Sequence, residues 1–431
     1  MRSDPATLGG LTDTGAMPTG FGVAPRRSGR ISWRTLEWWG AGIALLLQSG
    51  AFFPLLLMDA DGGLGDAARA KLRLLNMPVY VIAAILLARH PGQAVVAVRR
   101  SLPLLVLLSL CVLSVVWSQS PSISLRRVIG LLGSILLAYL LAVRFTPRQL
   151  LVLVACVLGA PMLLSLGALV AHPGVAELRG VFLSKNVLGW YAAYASVVGL
   201  ALATDRSLGL RSQGCALFAM SLACLLASRS ATALVSGIVA LTLVMLHRTL
   251  ARAQGAARVF WILVFALITI VVLLSLDFVI VPILDALGKD ITLTGRVPLW
   301  ALVDRAISYR PILGYGYQAF WTPTSSEAWR IWSEAGWMAP HAHNGYRDTM
   351  LSLGIVGTVA LAWVILRGTA QGIELAHRAP ADGWIWFNAL FGMFLFMNLT
   401  ESLMLSQNDF FWIMFSCSAV MFSLRYREAS Q

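Results

Sequence analysis

Charge is scarce in this 431-residue chain: 12% of residues are charged, with 20 acidic against 33 basic. Soluble domains carry about 25% charged residues, so a globule with an ordinary polar surface is excluded. Cysteine is almost as rare. The five present, Cys111, Cys156, Cys215, Cys224 and Cys417, all fall in apolar runs, where a thiol behaves as a small hydrophobe. A disulfide-built domain is therefore not on offer. There is no HExxH, no CxxC, no recurring His and Cys cluster and no Walker loop, so neither a metal nor a cofactor is expected. The first 35 residues are polar, rich in Gly, Pro and Arg, and lack an apolar core of signal-peptide length. They read as an unprocessed tail.

What the chain does have is apolar length, with 58% hydrophobic residues and a mean hydropathy of +0.76. A bilayer core takes about twenty mostly apolar helical residues to cross, with every backbone polar group paired inside the helix. Candidate spans lie at 36–58, 77–88, 101–117, 128–143, 150–171, 187–203, 214–228, 231–247, 259–281, 348–366, 384–400 and 408–424. The expectation is an all-α, polytopic transmembrane bundle of about twelve spans. It divides into a cytoplasmic tail (1–35), helices one to nine (36–281), a large periplasmic loop (282–347), helices ten to twelve (348–424) and a short cytoplasmic tail (425–431).

The positive-inside rule orients it. The tail carries Arg2, Arg26, Arg27, Arg30 and Arg34. Alternation then places Arg89, Arg99, Arg100, Arg144, Arg148, Arg206, Arg211, Arg248, Arg252, Arg258, Arg367, Arg378, Arg425 and Arg427 on the same, cytoplasmic side. Acidic residues are few there, so nearly all of the net charge of +13 belongs to topology. A nucleic-acid partner is not implied.

The segment 282–347 is the only long connection, and length alone makes it the functional candidate. Within it TGRVPLWALVDRAISYR has Pro298 at a tolerated first-turn position, followed by apolar Leu299, Leu302, Val303, Ala306 and Ile307, which predicts a short amphipathic helix lying on the membrane. Trp321, Trp329, Trp332 and Trp337 then follow in quick succession, as in an interfacial aromatic belt. HAHNGYRDTMLSLGIVG brings two histidines, an asparagine and an arginine to the mouth of the tenth span.

His343, Asn344 and, further on, Gly354 and Gly357 resemble the signature of the O-antigen ligase and polymerase family of bacterial membrane glycosyltransferases. WSQSPSISLRR (117–127), FLSKNVLGW (182–190), SRSATALVSG (228–237), LTGRVPLW (293–300), GYGYQAF (314–320) and TES (400–402) extend the resemblance in order along the chain. The wording is most similar to exopolysaccharide polymerases. The resemblance implies a bacterial inner-membrane enzyme that takes a glycan from undecaprenyl diphosphate at the periplasmic face and joins it to an acceptor glycan. A polysaccharide flippase and a chain-length regulator would be its protein partners.

Such a reaction needs cations for the departing diphosphate and a base for the acceptor hydroxyl. Arginine suits the first, since its planar fork grips phosphate oxygens and keeps its proton; histidine suits the second. His343 is the candidate base, or a residue that orients the acceptor, with His341 the weaker choice. Arg179, Lys185, Asn186, Arg229 and Arg296 are candidates for the diphosphate, against the plainer reading that they snorkel to anionic headgroups. Arg126 and Arg127 stay open between carrier binding and anchoring. Asn344 either orients the imidazole or caps the following helix. Glu401 ends an apolar run, where a carboxylate is costly unless paired, so it either holds an arginine or sits at a wet helix end. Arg347 and Asp348 read as a solvated helix entry.

Two alternatives stand beside the polymerase. One is a ligase that transfers the glycan to lipid A core or protein. The other is a transporter of polysaccharide or lipid-linked sugar, against which the sequence offers no broken helix pair and no repeated half.

Overall fold

The computed structural model describes residues 32–57, 66–171, 174, 177–261, 263, 264, 267 and 296–428. All regular structure among these is helical: α1 (Trp33–Gln48), α2 (Phe53–Leu57), α3 (Asp66–Ala88), α4 (Pro91–Arg100), α5 (Leu102–Leu113), α6 (Pro121–Arg144), α7 (Pro147–Ala171), α8 (Lys185–Thr204), α9 (Arg211–Ser228) and α10 (Ala231–Arg252). After the expected span at 259–281, most of which lies outside the described residues, come α11 (Arg296–Tyr309), α12 (Ser326–Ala335), α13 (Gly345–Arg378), α14 (Trp384–Met397) and α15 (Phe410–Glu428).

The chain is a helical membrane protein, and its described residues show fewer full-length spans than the twelve expected. Among the described residues five helices are long and apolar enough to cross a membrane: α6, α7, α8, α10 and α13. A sixth arises if the part of α3 from Leu74 and α4, bent by 103° against each other, are counted together. The shortfall has local causes. α5 and α14 have 12 and 14 residues and α1 has 16, short of the roughly twenty that a straight crossing requires. α9 opens on Arg211, Ser212 and Gln213, and α15 closes on Arg425, Arg427 and Glu428.

The tightest packing joins α8 to α9. A Cβ on Gly199 would stand 2.7 Å from Phe218 N, and one on Gly214 would stand 2.4 Å from Ala203 N. Only bare backbone permits that approach, as expected where close van der Waals packing holds helices together in lipid. Ser196 and Ser221 hydroxyls meet across the same seam at 2.9 Å. α14 and α15 supply the aromatic interior, with Phe415 stacked on Phe391 and Phe394 at 4.6 and 4.7 Å.

α13 is not one straight helix. At Gly354 the backbone turns to φ 62°, ψ −159°, and the released groups pair with the loop before them. Tyr315 N donates to Leu351 O at 2.8 Å, and Ile355 N donates to Pro311 O at 2.8 Å. A Cβ at Gly354 would lie 2.2 Å from Ile312 O. A glycine is thus required both for the positive φ and for the space. The sequence showed no Gly- or Pro-broken pair of helices, and this break at Gly354 lies within one helix.

Hydrogen bonds tie the helix ends into two opposite clusters. At one end Phe52 N reaches Val181 O, Leu178 N reaches Ala227 O and Gly345 N reaches Asn398 O. There too Trp117–Arg127 clasps the GYGYQAF segment: Trp117 donates to Leu313 O, Gln119 to Ala319 O, Ser124 to Tyr317 O and Arg127 to Gln318 O. At the other end Arg144 and His90 meet Glu37, Arg148 meets Asp205, and Arg100 meets Leu424 O.

Candidate active site

The first end holds every candidate residue singled out in the sequence. Of the large connecting segment, the part before Arg296 lies outside the described residues. The remainder folds onto the start of α13. The amphipathic expectation for α11 holds in that Leu299, Val303 and Ala306 are buried, but they face a small core with α12 residues Ala328, Ile331 and Trp332. The tryptophans likewise act as braces: Trp332 Nε1 donates to Ala339 O, Trp329 Nε1 to Pro323 O, and Trp300 Nε1 to Ala342 O.

Asn398 makes the turn that presents Glu401. It is fully buried, and its Oδ1 accepts from Leu403 N and Met404 N, both at 2.9 Å. Glu401 is thereby held with its side chain only 3% exposed. Its Oε1 accepts from Arg296 Nη2 at 2.9 Å, across 105 residues of sequence. Its Oε2 stands 3.6 Å from His343 Nδ1. Of the two readings of Glu401, the arginine partner is therefore the right one, because a carboxylate so buried needs charge or hydrogen bonds to offset its desolvation.

His343 sits in the left-handed region at φ 50°, an uncommon conformation for a residue with a side chain. Its amide donates to His341 Nδ1 at 3.1 Å, and the two rings lie 4.1 Å apart. His341 is consequently an acceptor at Nδ1. Burial, then the neighbouring His343 and Arg296, press its pKa down to about 3, which keeps it neutral. His343 Nδ1 itself is buried and has no hydrogen-bond partner. The Trp337 ring stands 6.0 Å from that of His343, tilted by 43°.

Asn344 is the helix cap: Oδ1 accepts from Tyr346 N and Arg347 N, while Nδ2 donates to Leu399 O. The alternative, that it orients the imidazole, finds no contact here. Asp348 departs from the solvated helix entry expected of it, while Arg347 stays at the exposed surface. Arg347 grips Asp304 with two nitrogens at 2.8 and 2.9 Å and lies over Trp300. Asp348 accepts from Trp321 Nε1 and from Ala342 N, which fastens the histidine loop to α13.

Arg296, His343, Asn344 and Glu401 thus form one group. Arg179, Lys185, Asn186 and Arg229 form a second beside it. The bond from Leu178 N to Ala227 O brings the segment of Arg179 to the end of α9, where Arg229 takes a left-handed cap position. Lys185, at the first turn of α8, pairs with Glu177. The start of α8 abuts this turn, since a Cβ on Gly189 would lie 2.8 Å from that of Ser230. Thr400 Oγ1 meets Thr232 Oγ1 at 3.5 Å, so the first turn of α10 stands beside the segment that carries Glu401. Arg127 is diverted to Gln318 O, an anchoring role for that member of the Arg126 and Arg127 pair.

The parts that sequence reading left out are Asn398 and Trp300, which position Glu401 and the histidine loop. Asn398 stood three residues before Glu401 in an apolar run, a signal available but unused. Together the first group offers an imidazole backed by a buried carboxylate that also holds one guanidinium, at the same end of the bundle as the basic residues of the second.

Residues 216–362 match the O-antigen ligase family, a stretch that carries Arg229, Arg296, His343 and Asn344. The chain is also 30% identical over 270 residues to the exopolysaccharide production protein ExoQ of Rhizobium meliloti (strain 1021), an alignment that takes in 59% of this chain and 61% of that protein.

Proposed function

For a chain that belongs to the O-antigen ligase and exopolysaccharide family, we propose the transfer of a growing glycan from undecaprenyl diphosphate to the hydroxyl of another lipid-linked repeat unit, at the periplasmic face. The carrying observation is the cluster in which buried Glu401 holds Arg296 at 2.9 Å and faces His343 Nδ1 at 3.6 Å.

In this reading Glu401 positions the imidazole so that Nε2 meets the acceptor hydroxyl. As the acceptor oxygen bonds to the anomeric carbon, its proton passes to His343 Nε2, and the bond from that carbon to the diphosphate oxygen breaks. The electron pair leaves with the lipid diphosphate. Arg296 and the neighbouring group of Arg179, Lys185, Asn186 and Arg229 take up its charge, a service that preorganised cations supply well in a water-poor site. No separate metal ion is called for in this scheme.

The test is purified protein with lipid-linked repeat units and no energy source. Elongated glycan on the carrier supports the reading; movement of substrate across a vesicle without new glycosidic bonds identifies a transporter. A ligase is the second reading, favoured by the description of the matched family. It would elongate nothing until lipid A core or an acceptor protein is added.

A further inference from the structure

Consecutive amides run through the turn that carries His343, and each donates to a side chain. Ala342 N reaches the Asp348 carboxylate oxygens at 3.2 and 3.1 Å, His343 N reaches His341 Nδ1 at 3.1 Å, and Asn344 N reaches Ser402 Oγ at 3.0 Å. A turn fastened in this way depends on the identity of the residues that receive it. The last of these acceptors belongs to the other segment of the site, because Ser402 follows Glu401 directly in the chain.

A hydroxyl can accept and donate at once, and Ser402 does both. Its oxygen accepts from Asn344 N, and its hydroxyl also hydrogen-bonds the Asp348 carboxylate. Asp348 is braced from a third segment by Trp321 Nε1 at 2.8 Å. Ser402 and Asp348 therefore hold the amides on both sides of His343, and one of the two is bonded covalently to Glu401. The same two segments meet again where Asn344 Nδ2 donates to Leu399 O at 3.0 Å and Gly345 N donates to Asn398 O at 2.8 Å.

The imidazole needs such support for two reasons. His343 lies at φ 50°, a left-handed conformation that is costly for a residue with a Cβ and persists only where the surroundings over-determine it. Its Nδ1 is also 3.6 Å from Glu401 Oε2, too long for a hydrogen bond, so the two side chains do not hold each other in place. The backbone must set their separation. We infer that Ser402, together with Asp348, is a positioning residue that locks the His343 backbone to the Glu401 turn and so fixes the pose of the imidazole. The inference rests on the proposed role of His343 as the base, and the lock itself is testable without it.

The experiment uses the full chain in nanodiscs, with amide hydrogen exchange resolved to single residues and transfer kinetics on lipid-linked repeats. Ser402→Ala deletes one oxygen, and the amides of Ala342, His343 and Asn344 should then exchange about tenfold faster together, with the thermal midpoint kept. Ser402→Thr retains the hydroxyl and should restore protection. Asp348→Asn, which keeps only one acceptor oxygen, should repeat the Ser402→Ala pattern. Acceleration at Asn344 alone is an ordinary lost bond and overturns the lock. In transfer, Ser402→Ala should lower kcat about tenfold with KM for the repeat unchanged, and should cost nothing further in a His343→Ala background, where there is no base left to position. Ser406→Ala, which removes the neighbouring hydroxyl that donates to Ser402 O at 3.3 Å, should change neither readout. A wild-type kcat in folded Ser402→Ala, or an equal loss in the His343→Ala background, overturns the positioning role. Exchange that follows the expected pattern in a protein whose wild type transfers no glycan upholds the lock and defeats the reaction proposed above.

Discussion

The two ends of the bundle each carry an arginine, a glutamate and a histidine, and they are built differently. At one end Glu37 accepts from both Nε and Nη2 of Arg144 at 3.1 and 2.9 Å and contacts His90 Nε2 at 2.9 Å. Every member has its partner. At the other, Glu401 holds Arg296 through a single bond, stops 3.6 Å short of His343 Nδ1 and leaves that nitrogen unsatisfied, with the histidine in a left-handed backbone conformation. The same three residue types make a fastening in one place and an open, positioned group in the other. The difference lies in how tightly the set is closed: hydrogen bonds at every position tie helices together at the first end, whereas at the second His343 Nδ1 stays 3.6 Å from the carboxylate, and in the proposed reaction Nε2 is the nitrogen that meets the acceptor.

That contrast can be broken most forcefully at the arginines. Arg296→Ala should remove about 2–4 kcal/mol of transition-state stabilisation, read as a fall in kcat/KM of purified enzyme with lipid-linked repeats. Arg296→Lys should restore only part, because a point charge does not reproduce the fork. Arg144→Lys at the other end should leave turnover near wild type. Next in size, Glu401→Gln keeps the shape but not the charge that orients the imidazole, and should lower kcat by more than about tenfold with little change in KM. Equal losses for Arg144→Lys and Arg296→Lys would erase the distinction between the ends.

Stability should respond in the opposite sense. His90→Ala removes one partner of a nearly buried carboxylate and should cost about 1–3 kcal/mol, seen as a lower thermal midpoint with turnover within about twofold. A smaller effect concerns acid. His341 has its pKa lowered from 6.5 to about 3, so the unfolded chain binds this proton more readily than the folded one, and stability falls as pH drops from 6.5 towards 3. His341→Asn should flatten the decline in thermal midpoint between pH 7 and pH 5 and leave turnover at pH 7 little changed. An identical decline in both proteins would contradict the burial argument. Smallest of all, chelation with EDTA should leave turnover unchanged, because cationic side chains meet the leaving charge; loss of turnover restored by a divalent ion would overturn that part of the account.

Much of the site was legible because its residues break local rules. A carboxylate ending the apolar run before TES, arginines at helix mouths and two histidines beside a helix start all cost free energy that the surroundings must offset, and this made Arg296, His343 and Glu401 visible singly. Their assembly was not, since the Arg296 to Glu401 bond spans 105 residues and no local pattern encodes it. Helices were legible from apolar length, yet the break at Gly354 was hidden. Apolar residues run on through it, and the partners that compensate it, Pro311 and Ile312, come from another segment. Asp348 misled for a related reason: as a charged residue in the first turn it looks solvated, and only Trp321, 27 residues earlier, makes it a buried brace.

The central claim is that His343, and not merely the basic groups around it, carries the chemical step. Single-turnover transfer should be followed with purified His343→Ala and His90→Ala, each saturated with lipid-linked repeat and matched for folding and carrier affinity. The account predicts a fall of about a hundredfold or more for His343→Ala, with carrier binding retained and His90→Ala near wild type. Transfer by His343→Ala at the wild-type rate, with carrier bound, would contradict it.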